Sequence, residues 1–217
     1  MKRERVLVIF AKWPRAGRAK RRLGQTLGTK GATALARAFL IDTISLSRCC
    51  GADVVIVAYA PRAARAAFAR VAPGARLVAQ PRAGFGARLR RALEAGHAKG
   101  KRVVLIGTDS PTLPAAIVRR GFARLARADY VLGPATDGGY YLIGARKPLP
   151  RSLFCKMPWS SATVAAETIH RAHEKGLRLA LLPTWYDVDD RAGLARLAGD
   201  CALSLAPRTR AALLQLS

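Results

Sequence analysis

Negative charge is what this sequence has least of: 13 aspartates and glutamates stand against 38 lysines and arginines, a formal net charge of +25 over 217 residues. Such an excess draws anionic partners by long-range attraction, without saying whether the anion is a polymer or a nucleotide. Against a nucleic-acid module, the basic residues are scattered among alanines, with no aromatic interleaving, Cys/His finger or base-reading motif. Cysteine is also scarce, and the four at 49, 50, 155 and 201 have neither paired-ligand spacing nor the look of a disulfide framework, so they read as packing or incidental residues. The histidines at 97, 170 and 173 form no metal-binding arrangement; His170 and His173 read as one face of a helix. No apolar run approaches the roughly 20 residues of a membrane span. The opening MKRERVLVIF resembles a leader only briefly, because Lys12, Trp13, Pro14 and Arg15 follow without a cleavage site. A cytoplasmic protein is expected.

What is present is alternation. With 51% hydrophobic residues the chain can bury one sizeable core, and a single domain over residues 1–217 is expected. RVLVIF, DVVIVAY, RLVAQ, RVVLIG, DYVLGP, GYYLIG and LRLALLP read as strands. Between them, helices are expected over 30–50, after Pro61, over 84–97, over 114–128 and over 160–175, with one or two short helices after Arg191. DYVLGP and GYYLIG are too close for an intervening helix. Continuous apolar strands separated by amphipathic helices imply an α/β fold, a three-layer α/β/α sandwich around a mostly parallel sheet. Ligands in such sheets gather beyond the carboxyl ends of the strands, which places residues 11–20, 80–86 and 107–110 on one rim.

Several residues on that rim can carry chemistry. The loop AKWPRAGRAKRRL holds Lys12, Arg15, Arg18, Lys20, Arg21 and Arg22 around Gly17. It is neither a Walker loop nor a dinucleotide fingerprint, and reads either as a solvated basic loop or as a grip for diphosphate oxygens. In LIGTDSPTLP, Thr108, Asp109 and Ser110 follow a buried strand at once; they form a plain turn or bring Asp109 to a hard divalent cation, with a nucleotide supplying further oxygens. Asp137, Gly138 and Gly139 suit a hairpin turn or a close ligand approach. In WYDVDD, Asp190 reads as a helix N-cap, while Asp187 remains available to a metal or a cationic group.

Taken in order, FAKWPRAGRAKRRLGQTLG, RAFLIDT, LIGTDSPTLP, LGPATDGGYYLIG, PWSSATV and WYDVDD resemble a bacterial family of proposed glycosyltransferases with the GT-A, nucleotide-diphospho-sugar transferase fold. That family was long carried as a domain of unknown function, and its members are often labelled for arsenosugar biosynthesis or for association with radical-SAM and selenium-related domains. The resemblance spans almost the whole chain. It implies a nucleoside diphosphate sugar as donor, a small-molecule acceptor, Mg²⁺ or Mn²⁺, and no specific nucleic acid. It implies a donor site over Lys12, Gly17, Lys20, Arg22, Gly86, Arg88, Gly138 and Gly139, to which the rim positions Gln80 and Thr108 are added, and a metal on Asp109. The resemblance does not assign the base; Asp137 is placed ahead of Asp187 as the catalytic carboxylate that takes the acceptor proton, because Gly138 and Gly139 allow close approach, and Asp187 is expected to orient the metal or a basic side chain. Two positions depart from the pattern: Arg21 replaces a threonine, and Ala87 removes an acidic group. The first loop is also similar to that of nucleotidyltransferases such as phospholactate guanylyltransferase, so nucleotidyl transfer is the alternative; a nucleic-acid-binding protein without catalysis is a third.

Overall fold

The computed structural model describes residues 5–216. Its apolar runs form seven strands: β1 (Arg5–Lys12), β2 (Val54–Ala60), β3 (Arg76–Ala79), β4 (Arg102–Ile106), β5 (Tyr130–Pro134), β6 (Tyr140–Ala145) and β7 (Leu179–Leu181). They make one sheet in the order β3-β2-β1-β4-β6-β5-β7. Every pair is parallel except those of β6, which runs antiparallel to both β4 and β5. The α/β fold expected from the sequence is thus observed.

β1 is central, with Val6 opposite both Val54 and Val103. Its alternate side chains serve two layers: Leu7 and Ile9 join the core on one face, Val6 and Val8 the core on the other, and all four are fully buried. Each such side chain contributes roughly 1.5–3 kcal/mol. The first face is covered by α1 (Arg21–Leu46), α2 (Arg65–Val71) and α4 (Ala115–Arg124), the second by α3 (Phe85–His97) and α5 (Val164–Glu174). A third core joins Leu23, Leu35 and Phe39 of α1 to Tyr186, Val188 and Leu197, the last on α6 (Arg191–Ala198). Among the described residues, no helix is long and apolar enough to cross a membrane.

α1 starts nine residues before the sequence-expected helix, and its axis breaks at Gly28 (φ 67°, ψ 164°). Burial of Leu23 in the third core supplies the reason, because it holds the first helical piece in place without a long amphipathic stripe. Asp42, on the buried side of α1, accepts backbone N–H bonds from Arg208 (3.2 Å) and Thr209 (2.7 Å) in the first turn of α7 (Pro207–Leu214). A distant carboxylate therefore caps the last helix, satisfying two donors that the helix itself leaves open. Asp42→Ala should cost about 1–3 kcal/mol in chemical denaturation. It should also raise amide exchange selectively over 207–214; exchange unchanged there would show that α7 is held by its apolar contacts alone.

Candidate active site

The carboxyl ends of all the parallel strands lie along one rim, and the β5–β6 turn joins them there because β6 reverses direction. The first loop leaves β1 with the Trp13 amide bonded to Ala60 O (2.7 Å), turns through Gly17 (φ 72°), and enters α1 at Lys20. Lys12, Arg15, Arg18, Arg21 and Arg22 are exposed around it. Nothing stands within 4 Å of the position a Gly17 Cβ would take, so its glycine meets a need of backbone conformation rather than of space.

Lys20 behaves differently from its neighbours. Its backbone is left-handed (φ 45°, ψ 55°), its side chain is only 8% exposed, and its ammonium contacts Asp109 and, at 2.5 Å, Asp189. Burial by itself would lower its pKa, but the two carboxylates outweigh that and hold it above the ordinary lysine value. The residue expected to meet a diphosphate is thus committed to two aspartates. Asp189 received no role of its own from the sequence; its signals were the WYDVDD motif and the alternation Asp187, Val188, Asp189, which puts both carboxylates on one side of an extended segment.

Two further contacts bind the strand-end turn to the segment after β7. Val188 N donates to Asp109 O (2.8 Å), and Ser110 Oγ donates to Asp187. Burial raises the Asp187 pKa to about 6; the Ser110 bond opposes the shift, and the charges of Asp109, Asp137 and Asp189 add to it. Four carboxylates therefore share one electrostatic neighbourhood. Asp137 is exposed, and its Oδ1 accepts the Gly139 N–H (2.8 Å). Asp190 caps α6 as expected, accepting from Gly193 N at 2.9 Å. Thr108 lies half-buried in the Asp109 turn.

The remaining expected residues form a second group on the α3 side. Gln80 is buried, its amide bridging Ala11 O (3.1 Å) and Ala58 O (2.7 Å), and its Oε1 accepts from Arg88 Nη1 (3.1 Å). The Arg88 guanidinium lies over the rings of Phe10 (5.8 Å) and Phe85 (5.6 Å), and Trp159 meets Phe85 edge-on at 4.7 Å. Arg88 Nε is buried without a hydrogen-bond partner, and burial lowers the group's pKa. Gly86 and Gly138 have protein rather than open space above them. A Cβ on Gly86 would lie 2.6 Å from Phe154 O, and one on Gly138 (φ 86°) 2.0 Å from Ala162 O. Close approach is needed at both, and it is the 154–162 segment that approaches.

A family model described as "Uncharacterized protein conserved in bacteria (DUF2064)" matches residues 43–161. No protein of curated function matches the sequence. Among solved structures, a proposed nucleotide-diphospho-sugar transferase from Desulfovibrio desulfuricans G20 is 29% identical, with a TM-score of 0.84 over 99% of this chain and 98% of that one. A nucleotidyl transferase from Methanothermobacter is 19% identical (TM-score 0.59, 89% and 95% covered). Glucosyl-3-phosphoglycerate synthase from Mycobacterium tuberculosis, in complex with Mn²⁺, UDP and glucosyl-3-phosphoglycerate, is 17% identical (TM-score 0.54, 99% and 80% covered). The last two share the fold.

The raised pKa of Asp187 has a consequence for stability. Between the ordinary value of 3.8 and about 6, the folded protein binds a proton at this carboxyl more tightly than the unfolded chain does, so stability is lost as pH rises through that window. In the absence of metal and nucleotide, Asp187→Asn should therefore be more stable than the parent at pH 7, by about 1–3 kcal/mol. Urea denaturation at a series of pH values checks this: the advantage should shrink toward pH 4, and a variant less stable at pH 7 would contradict it.

Proposed function

The chain belongs to the bacterial family DUF2064, and on that footing we propose that it is a metal-dependent glycosyltransferase, moving a sugar from a nucleoside diphosphate sugar to a small-molecule acceptor. The observation that carries this reading is the meeting, at one end of the sheet, of an arginine- and lysine-rich loop with the neighbourhood of Asp109, Asp137, Asp187 and Asp189. The Desulfovibrio likeness over nearly the full length supports it.

Among the described residues no three His, Cys, Asp or Glu side chains group closely enough to hold an ion by themselves. Asp109 and Asp189 nevertheless meet at a single cation, the Lys20 ammonium. Such a pair fits Mg²⁺ or Mn²⁺, which take one or two carboxylates when phosphate oxygens and water complete the shell. These two residues would hold the ion, which when bound would neutralise charge growing on the departing diphosphate. Lys12, Arg18 and Arg22 grip the same phosphates from the loop, Arg through paired N–H donors. Gln80, Arg88 and exposed Phe85 flank the nucleoside side. Asp137, steered by the Gly139 amide, takes the proton of the acceptor hydroxyl; Asp187, held by Ser110, adds negative charge behind the metal ligands.

A basic loop of this kind also suits a triphosphate, and the fold is shared with the Methanothermobacter nucleotidyl transferase. Nucleotidyl transfer is accordingly the second reading. Calorimetry against UDP-, GDP-, ADP- and dTDP-linked sugars, with and without Mn²⁺, separates them. The first reading expects metal-dependent binding of one of these donors, lost in a folded Asp109→Asn protein. Binding of a nucleoside triphosphate instead, with its nucleotidyl group transferred to a phosphorylated acceptor and pyrophosphate released, selects the second. Once a donor and an acceptor are known, Asp137→Asn should slow transfer by about 10²–10⁴-fold with donor affinity retained. An unchanged chemical rate would remove Asp137 from the base role.

A further inference from the structure

Lys20 and its two aspartates are unequally exposed. The lysine side chain is 8% accessible, whereas those of Asp109 and Asp189 are 47% and 53% accessible. The cation is shut in on the protein side, over the Phe39 ring at 5.4 Å, and its anions open to solvent. An ion pair serving only to join two elements has no need of this asymmetry. Both carboxylates thus keep about half of their side-chain surface open to solvent while they share the lysine.

The three partners also come from separate parts of the chain: the loop after β1, the turn after β4 and the segment leading to α6. Without a positive charge between them, Asp109 and Asp189 would repel each other, and Asp137 and Asp187 add to the same negative field. Lys20 is held against conformational preference, in left-handed backbone that non-glycine residues seldom adopt.

We propose that Lys20 is a built-in counter-cation of the divalent-metal site: it holds Asp109 and Asp189 face to face before the metal arrives, and competes with the metal for them afterwards. This rests on the reading of Asp109 and Asp189 as metal ligands. Lys20 is then a positioning residue that sets metal affinity, rather than one more contact for phosphate. Its charge trades ligand geometry against strength of binding, so that the free protein holds a divalent ion weakly.

Titration of the full chain with Mn²⁺ alone, followed by the electron paramagnetic resonance signal of free aqueous Mn²⁺, tests this without any nucleotide. Lys20→Met should bind Mn²⁺ about tenfold or more tightly than the parent, a coupling of ordinary size, while Lys20→Arg, which keeps the charge, should stay near the parent. The metal-free Lys20→Met protein should melt lower than the parent, and Mn²⁺ should restore it. In the unmodified protein, Mg²⁺ should shift the Lys20 Nζ resonance and speed exchange of its ammonium protons, a readout that requires no variant to fold. Mn²⁺ affinity unchanged or weakened in folded Lys20→Met, or an Nζ signal indifferent to saturating Mg²⁺, would overturn the inference and leave the metal reading standing. If neither parent nor variant binds Mn²⁺, the metal reading itself falls and takes the inference with it.

Discussion

One buried ammonium organises the rim. A lysine head removed from water needs anions at contact distance, because its desolvation is otherwise too costly, and Lys20 finds them in Asp109 and Asp189. That requirement draws the β1–α1 loop, the β4 turn and the β7–α6 segment to one point. The Val188 amide on Asp109 O and the Ser110 hydroxyl on Asp187 tighten the same junction. The placement of the carboxylates follows from this ion triad as much as from the sheet.

The direction of one strand supplies the rest. If β6 were parallel to its neighbours, the connection from β5 would have to cross to the opposite end of the sheet. Because it is antiparallel, Asp137 stays on the rim, in a turn of a few residues. Gly138 then lets the backbone of Ala162 settle against that turn, and Ala165 N donates to Gly138 O at 2.9 Å. Asp137 is thereby tied to the segment that brings Trp159 against Phe85.

Strands were the most legible feature of the sequence, since fully buried parallel strands are near-continuous apolar runs. The proximity of DYVLGP and GYYLIG signalled a hairpin, but the insertion of β6 between β4 and β5 in sheet order was beyond any local pattern. Gly28 hid the beginning of α1, where long-range burial of Leu23 decides. On the rim, Asp109, Asp137 and Asp187 were accessible to reasoning because each follows a strand of one sheet. Lys20 was read with Lys12 and Arg22 as a phosphate contact, for only the fold determines which basic residue of the loop turns inward. Asp42 stood out as the aspartate of RAFLIDT on the face of Leu35 and Phe39, but its partner, 167 residues on at Thr209, could not be read from any local pattern.

The two outermost strands, β3 and β7, are four and three residues long. Unpaired backbone along a sheet margin is a template on which another chain can extend the sheet. Margins this brief offer few consecutive hydrogen bonds, and copies that each carry a formal charge of +25 repel one another as they approach. The sheet is thereby protected against growing from molecule to molecule, a safeguard that a long parallel core, slow to pair its strands, needs most while it is still folding.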